Sequence, residues 1–208
     1  MRLIIGISGA TGAIYGIRLL EVLHLMDTIE THLIITSAAR QSIVYETDYT
    51  VAQVNALASV VHNNRDIGAA IASGSFRTDG MVIAPCSIKT LSGVANSYDD
   101  NLLIRAADVA LKEHRRLLLV VRETPLHLGH LRLMTAVVEY GAVLMPPVPA
   151  FYTRPQTVED VINQTVGRIL DQFGIETELL SRWQGLRTEL HRKTINQTQE
   201  AGTDSSLR

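Results

Sequence analysis

Short apolar runs alternate with longer amphipathic segments along most of the chain. Five runs are apolar without alternation, at residues 3–7, 32–35, 81–84, 117–121 and 142–145. The segments between and after them predict helices at residues 11–26, 51–60, 102–113, 127–140 and 158–173. Continuous apolar runs are typical of strands buried on both faces, and strands that alternate with helices form βαβ units. The pattern therefore predicts a three-layer α/β sandwich, Rossmann-like or flavodoxin-like, with a mostly parallel sheet.

Two polar stretches interrupt or follow this pattern. Residues 63–79 are small and polar, and predict a long loop near a ligand. Residues 184–208 end in NQTQEAGTDSSLR and predict a polar, mobile tail. We therefore expect a single domain over residues 1–183, followed by that tail.

Composition disfavours several classes of function and indicates the cellular compartment. The 208 residues carry 19 Lys and Arg against 21 Asp and Glu, with no basic block, which disfavours a nucleic-acid partner. The one cysteine, Cys86, excludes an internal disulfide and a cysteine zinc set, and its simplest role is that of a small apolar filler. His127 and His130 are three residues apart without a third ligand nearby, so no metal site is predicted. No apolar run is long enough to span a membrane and no signal-peptide pattern opens the chain, so we expect a cytoplasmic protein.

Polar side chains follow every predicted strand. In open α/β sheets, ligands bind beyond the carboxyl ends of the strands, so these side chains would share one edge. The segments that carry them are, in strand order, Ser8 to Thr11, then Thr36 and Ser37, Ser87 to Thr90, Arg122 and Glu123, and finally Phe151 and Tyr152. The sequence therefore predicts one ligand site at this edge.

The turn after the first strand, SGATG, indicates the kind of ligand. It lacks the pattern G-x-G-x-x-G, and the second strand ends in Thr36 rather than an acidic residue, which disfavours a nicotinamide cofactor. A hydroxyl-rich turn at a helix N-terminus suits the phosphate of a mononucleotide. Ser87 offers a second such turn. The alternative is that Thr11 and Ser87 only cap their helices.

Basic side chains form a second group of candidates. Arg105 and Lys112 are seven residues apart on one predicted helix and share a face, with Asp108 between them. The alternative there is a solvated, ion-paired surface. Arg122 directly follows a buried strand, where an unpaired cation is costly, so a bound anion is the better interpretation.

Three further side chains suggest chemistry at the same site. Arg168 lies in an otherwise apolar helix. The alternative to a role in ligand binding is that it only forms an ion pair with Asp171. Glu46 and Glu123 are candidate proton carriers. Burial would raise the pKa of Glu123, whereas the neighbouring Arg122 would keep it ionised, and the sequence leaves both open.

Six motifs together resemble one protein family. They are GISGATG at 6–12, APCSIKTL at 84–91, NLLIRAADVALKE at 101–113, VRETPL at 121–126, PAFYTRP at 149–155 and RILDQFG at 168–174. In order and spacing they resemble the UbiX/Pad-type flavin prenyltransferases over residues 1–183, on the Pad branch named for phenolic or aromatic acid decarboxylation. The resemblance makes residues 1–183 an FMN-binding domain.

The resemblance implies a specific activity. Such proteins join a dimethylallyl group, donated by dimethylallyl phosphate, to N5 and C6 of reduced FMN. The prenylated FMN then serves a separate UbiD-type decarboxylase of aromatic acids. The family needs no metal and assembles as a homododecamer.

The resemblance also assigns residues, by position. FMN would be bound by Gly9, Ala10, Thr11, Thr36, Ser87, Ile88, Lys89, Thr90 and Arg122. Dimethylallyl phosphate would be bound by Tyr152, Arg168 and Lys112. Glu46 would lie near flavin N5, and Glu123 would be the acid/base in formation of the second bond. Arg105 would act at a subunit interface, and Trp183 would close over the site.

Three other functions stay open. The chain could be an FMN-binding accessory subunit, or an FMN-dependent decarboxylase that acts on aromatic acids alone. It could also belong to the cysteine decarboxylases, but their early histidine and their P-x-M-N-x-x-M-W stretch are both missing. The product formed from FMN distinguishes these alternatives.

Overall fold

The computed structural model describes residues 1–185, and within them the chain forms one six-stranded parallel sheet. The strands are β1 (Arg2–Ile7), β2 (Glu30–Ile35), β3 (Val60–His62), β4 (Gly80–Cys86), β5 (Arg116–Val121) and β6 (Val143–Leu144). Their order is β3-β2-β1-β4-β5-β6. The chain therefore changes direction across the sheet between β1 and β4, the point at which Rossmann-like folds bind ligands.

Among residues 1–185, seven α-helices cover the two faces of this sheet. They are α1 (Ala13–His24), α2 (Ser37–Glu46), α3 (Val51–Ala56), α4 (Ile88–Ala95), α5 (Leu102–Lys112), α6 (Leu128–Glu139) and α7 (Val158–Asp171). Helices α1, α2, α3 and α7 contribute to one apolar core, and α4, α5 and α6 to the other. The predicted three-layer sandwich is confirmed.

The two cores explain why the strands show no alternation of apolar and polar residues. In β4, Met81 and Ile83 point into the core with α4 and α5, whereas Val82 and Ala84 point into the core with α1 and α7. All four side chains are buried. Because each face of the sheet is covered, successive residues of a central strand must all be apolar.

The sequence pattern missed three elements. The helix predicted at 51–60 ends at Ala56, and the chain then forms the short edge strand β3, whose Val60 and Val61 are exposed. Helix α2 buries only Ala39 and Ile43, which is too few for a clear helical periodicity. Helix α4 has only eight residues and follows β4 after the single residue Ser87, which is too short for a clear helical periodicity.

Residues 63–79 form the predicted excursion, with one 3-10 turn at Ala70–Ala72. All but the first two residues of the predicted tail, 184–208, lie outside the described residues. Within residues 1–185, no helix combines the length and the apolar character that crossing a bilayer requires.

Candidate functional site

Three helix N-termini meet at a cleft beside the switch point of the sheet. The Oγ1 of Thr36 accepts a hydrogen bond from the Ala39 N–H at the start of α2, at 3.1 Å. Ser87 caps α4 in the same way, and Asn101 caps α5. Each cap satisfies one N–H and leaves other N–H groups of the first turn available. Together with the helix dipoles, these groups favour an anion in the cleft.

The cleft brings together most of the predicted FMN ligands. Its volume is about 320 Å³, within the range of small-molecule sites of roughly 300–1,000 Å³. Its lining residues are Gly9, Thr36, Ser37, Ala38, Asn64, Ser87, Ile88, Lys89, Thr90, Asn101, Ile104 and Glu123. Lys89 is exposed in the first turn of α4 and adds a positive charge.

Ser8 ties together the two loops that border this cleft. Its side chain is fully buried, donates to the Pro85 carbonyl oxygen at 2.9 Å and accepts from the Ser87 N–H at 2.8 Å. The turn after β1 is thereby fixed against the N-terminus of α4. The sequence placed Ser8 at a strand end but did not assign it a role, because no local pattern reveals that its hydroxyl is buried.

Asn64 is a second residue that the sequence did not identify. Its Oδ1 accepts from the Leu103 N–H at 3.0 Å, and its carbonyl oxygen accepts from the Leu102 N–H at 2.9 Å. These bonds hold the 63–79 excursion against the start of α5. Asn64 therefore closes one side of the cleft.

The N-terminus of α1 differs from the sequence prediction. The Oε2 of Glu46 accepts from the N–H groups of Gly12, at 2.8 Å, and Ala13, at 3.4 Å. A carboxylate from the end of α2 thus takes the position that the sequence assigned to a ligand phosphate. Gly12, with a φ of 95°, stands at the N-cap position, so Thr11 is not the cap. The phosphate of a nucleotide is better matched by the N-termini of α2, α4 and α5.

The turn after β1 approaches α2 closely. A Cβ atom at Gly9 would lie 2.4 Å from the Cβ of Ala38, so only glycine fits there. Ala10 is partly buried and Thr11 is exposed in the same turn. This turn forms the wall of the cleft nearest α2.

Arg122 and Glu123 extend from the carboxyl end of β5. The Arg122 N–H donates to the Cys86 carbonyl oxygen at 3.1 Å, which fixes the start of this loop against β4. Burial raises the pKa of Tyr15 in α1, and the positive charge of Arg122 opposes that increase. The exposed Glu123 lines the cleft, and its Oε1 accepts from the Thr124 N–H at 3.1 Å.

Two of the predicted ligands of the donor phosphate are Arg168, in α7, and Tyr152, which precedes α7 and contacts it through Gln164. The Tyr152 ring meets the Trp183 ring edge to face, with 5.6 Å between centroids. Arg168 lies in the last turn of α7 and pairs with Asp171 at 2.8 Å, so the ion-pair alternative is present in the structure. These three predicted residues are all exposed.

The remaining basic candidates lie on the other side of the sheet. Lys112 ends α5 on the opposite face from α7 and pairs with Glu113. Arg105 pairs with Asp99 at 3.0 Å and with Asp108 at 3.2 Å. One chain therefore does not bring Lys112 together with the donor ligands on α7.

The comparisons with known proteins identify the family. A family model described as flavoprotein matches residues 1–170. The flavin prenyltransferase UbiX of Escherichia coli K12 is 66% identical over 186 residues, which cover 88% of this chain and 98% of that protein. The chain belongs to the UbiX family of flavin prenyltransferases.

Two solved UbiX structures share the fold. A dodecameric FMN-dependent UbiX-like decarboxylase from Escherichia coli O157:H7 is 51% identical, with a TM-score of 0.88, and the match covers 89% of this chain and 100% of that one. AnUbiX, solved in complex with FMN and dimethylallyl pyrophosphate, is 50% identical, with a TM-score of 0.87 and coverage of 89% and 98%.

The described residues fit the flavin that this family binds. The cleft offers three helix N-termini and Lys89 to the phosphate, and Gly9 of the turn after β1 lines the cleft beside them. Cys86 is fully buried beside the cleft, and because burial raises the pKa of its thiol well above the ordinary range, it stays neutral and acts as apolar filler. Among residues 1–185, no three His, Cys, Asp or Glu side chains are grouped closely enough to hold a metal ion.

Proposed function

We propose that this protein joins a dimethylallyl group from dimethylallyl phosphate to N5 and C6 of reduced FMN. The observation that carries the proposal is the cleft itself. It combines an anion site, formed by Thr36, Ser87 and Lys89, with the carboxylate of Glu123. In a chain of the UbiX family, this combination supports the binding of a phosphate-bearing ring system beside a proton carrier.

In this proposal the cleft residues bind and orient the flavin. Reduced FMN, when bound, supplies the nucleophilic ring atoms. The phosphate is held by the hydroxyls of Thr36, Ser87 and Thr90 and by the ammonium group of Lys89. Because the phosphate is charged, these hydrogen bonds are charge-assisted and stronger than bonds between neutral groups. The backbone of Gly9 to Thr11 and the side chain of Arg122 hold the rest of the molecule. Fixing one reactant against the other supplies much of the rate enhancement, since no protein nucleophile is required.

Glu123 is the proton carrier of the proposal. Glu123 lines the cleft, which supports a role for it as acid and base when the second bond, at flavin C6, is formed. Glu46 has a different part. Two backbone N–H groups hold its carboxylate at the turn, where it fixes the wall of the site near N5.

The donor site of the proposal is completed by neighbouring copies. Within one chain, Tyr152 and Arg168 lie on one face of the sheet, and Arg105 and Lys112 on the other. Val148, Phe151 and Val158, which surround Tyr152 in the sequence, are each at least 75% exposed in the single chain. Apolar exposure of this kind marks an interaction surface. We propose a homododecamer, as in the Escherichia coli O157:H7 relative, in which Lys112 of one copy faces Tyr152 and Arg168 of another.

The proposal extends to the use of the product. Residues 1–183 form the FMN-binding domain, and a UbiD-type decarboxylase of aromatic acids receives the prenylated FMN. The proposed compartment is the cytoplasm, because a chain with a single cysteine cannot form the internal disulfide bonds that oxidising compartments favour.

The direct test is the mass of the flavin after anaerobic incubation of the protein with reduced FMN and dimethylallyl phosphate. Gain of one C5H8 unit, with release of inorganic phosphate, supports the proposal. Unchanged FMN, from protein shown to bind it, would point to the accessory subunit. Carbon dioxide released from an aromatic acid such as cinnamic acid, with no second protein added, would point to a decarboxylase.

A further inference from the structure

Gln164 is a buried polar side chain that contacts the predicted donor site but that no motif identified. It lies in the middle of α7 and is only 7% exposed. Its Nε2 donates to the Tyr152 hydroxyl and to the Ser181 carbonyl oxygen, each at 3.2 Å. Its Oε1 accepts from the Ser181 N–H at 3.0 Å.

We propose that Gln164 is a positioning residue for the prenyl donor, acting through Tyr152 and through the segment 181–183. This inference rests on the proposed function, in which Tyr152 binds the donor phosphate. Gln164 joins the tyrosine hydroxyl to the backbone of Ser181. It thereby sets both the direction of that hydroxyl and the place of Trp183.

The need for such a residue follows from the exposure of the aromatic pair. Tyr152 is 49% exposed and Trp183 is 51% exposed, so packing alone does not fix either ring. Gln164, by contrast, lies on a helix between the buried residues of α7 and has few conformations available. A hydrogen bond from a fixed donor defines the position of the tyrosine oxygen before the substrate arrives, which reduces the entropy lost on binding.

The tyrosine proton shows how the arrangement responds to a ligand. The Tyr152 hydroxyl accepts from Gln164 and donates its single proton to the Ser181 carbonyl oxygen at 3.3 Å. A donor phosphate that accepts this proton replaces the Ser181 carbonyl. The bond from Gln164 can persist, because it uses a lone pair of the tyrosine oxygen. Gln164 therefore holds Tyr152 in place in both states.

The same segment is attached to α7 at a second point. Asp171 pairs with Arg182 at 2.5 Å as well as with Arg168, and the hydrogen bond from Arg182 lowers the pKa of its carboxyl. A Cβ atom at Gly167 would lie 2.9 Å from the Leu180 Cβ, so the segment lies directly against the helix. Tyr152 thus contacts Ser181 and Trp183 directly, and Arg168 is linked to Arg182 through Asp171.

The test compares three variants with the wild-type protein. Q164L keeps most of the volume but removes the three hydrogen bonds. Q164E keeps an acceptor for the Ser181 N–H and for the Tyr152 hydroxyl, but loses the donors. Q172L, at the C-cap of the same helix, is the matched control.

The first readout does not require activity. Trp183 is the only tryptophan of the chain, so intrinsic fluorescence reports on it alone. Acrylamide should quench Q164L about twofold more strongly than wild type and Q172L, with Q164E between them. Equal quenching in all four proteins would overturn the proposal.

The second readout separates positioning from general damage. Loss of one well-placed hydrogen bond corresponds to about a five- to tenfold effect, so Q164L should raise the KM for dimethylallyl phosphate by that factor. The Kd for FMN should change less than about twofold. In a Y152F background, Q164L should raise the KM by a smaller factor than in the wild-type background, because the contribution through the tyrosine hydroxyl is already lost and only the one through Ser181 remains.

Three results would contradict the proposal. They are an unchanged KM in Q164L, an equal weakening of FMN binding, and a full additional effect in Y152F. If Q164L does not fold, Q164E carries the same comparisons. If the wild-type protein does not alkylate FMN at all, the proposed function fails, and the quenching result still decides whether Gln164 positions Trp183.

Discussion

Replacement of Ser8 by alanine tests whether the cleft depends on a buried hydroxyl. The substitution removes the acceptor of the Ser87 N–H and one donor to the Pro85 carbonyl oxygen. The carbonyl keeps a second donor, the Ser8 N–H at 3.2 Å. The main cost is therefore one partly buried N–H without an acceptor, which is about 1–3 kcal/mol. We expect the free energy of unfolding to decrease by that amount.

Urea unfolding followed by circular dichroism measures this change, at one fixed protein concentration because assembly adds to stability. Ser92→Ala is the matched control. Ser92 lies in α4, and its hydroxyl accepts only a long bond from Asn96 Nδ2 at 3.4 Å, so a change within about 0.5 kcal/mol is expected. Because the Ser87 N–H starts α4, Ser8→Ala should also weaken FMN binding, measured by flavin fluorescence. A Ser8→Ala protein as stable as the Ser92→Ala control, with wild-type FMN affinity, would refute the reasoning.

Three further predictions concern the cleft and the edge of the sheet. Glu123→Gln should retain FMN but lower the rate of flavin alkylation by about 100-fold or more, measured by mass spectrometry, whereas full activity would remove its acid/base role. Lys89→Met should weaken FMN binding several-fold at low salt and less at high salt, measured by titration, because salt screens an exposed charge. Burial and the neighbouring His32 lower the pKa of His62, so the unfolded chain binds that proton more readily than the folded one. The free energy of unfolding should therefore fall as the pH drops below roughly 6.5. His62→Gln should reduce this slope in urea titrations, and an unchanged slope would assign it to another group.

The central strands could be predicted because burial on both faces leaves a continuous apolar run in the sequence itself. Both faces of β1, β4 and β5 are covered, so their buried residues are apolar, and a charged residue stands only at the first position of β1 and of β5. The strand β3 carries no such signal, since its Val60 and Val61 are exposed at the edge of the sheet. Its pairing with β2 is a tertiary property.

The candidate site was predicted in composition but not in arrangement. The residues after each strand were identified, and most of the predicted FMN ligands line one cleft. Sequence could not show that Glu46 returns from α2 to the N-terminus of α1, because that contact joins residues 34 positions apart. The sequence also could not show that Lys112 and Arg168 lie on opposite faces of the sheet within one chain. Both follow apolar helical patterns, and only the topology places their helices on opposite faces of the sheet.

One reason explains why the sequence did not reveal the roles of Ser8, Asn64 and Gln164. Each is a polar residue whose importance lies in backbone groups distant in sequence, 77 residues away for the bond between Ser8 and Pro85. No spacing rule indicates such a partner. The buried polar side chains of a fold become informative only when their hydrogen bonds are known.

The most direct measurement is a crystal structure of the protein after anaerobic reaction with reduced FMN and dimethylallyl phosphate. We predict an alkylated flavin whose phosphate accepts hydrogen bonds at the N-termini of α2, α4 and α5, with Glu46 still bound to Gly12 and Ala13. An unmodified flavin, or a phosphate that displaces Glu46 from the N-terminus of α1, would contradict the assignment of the cleft.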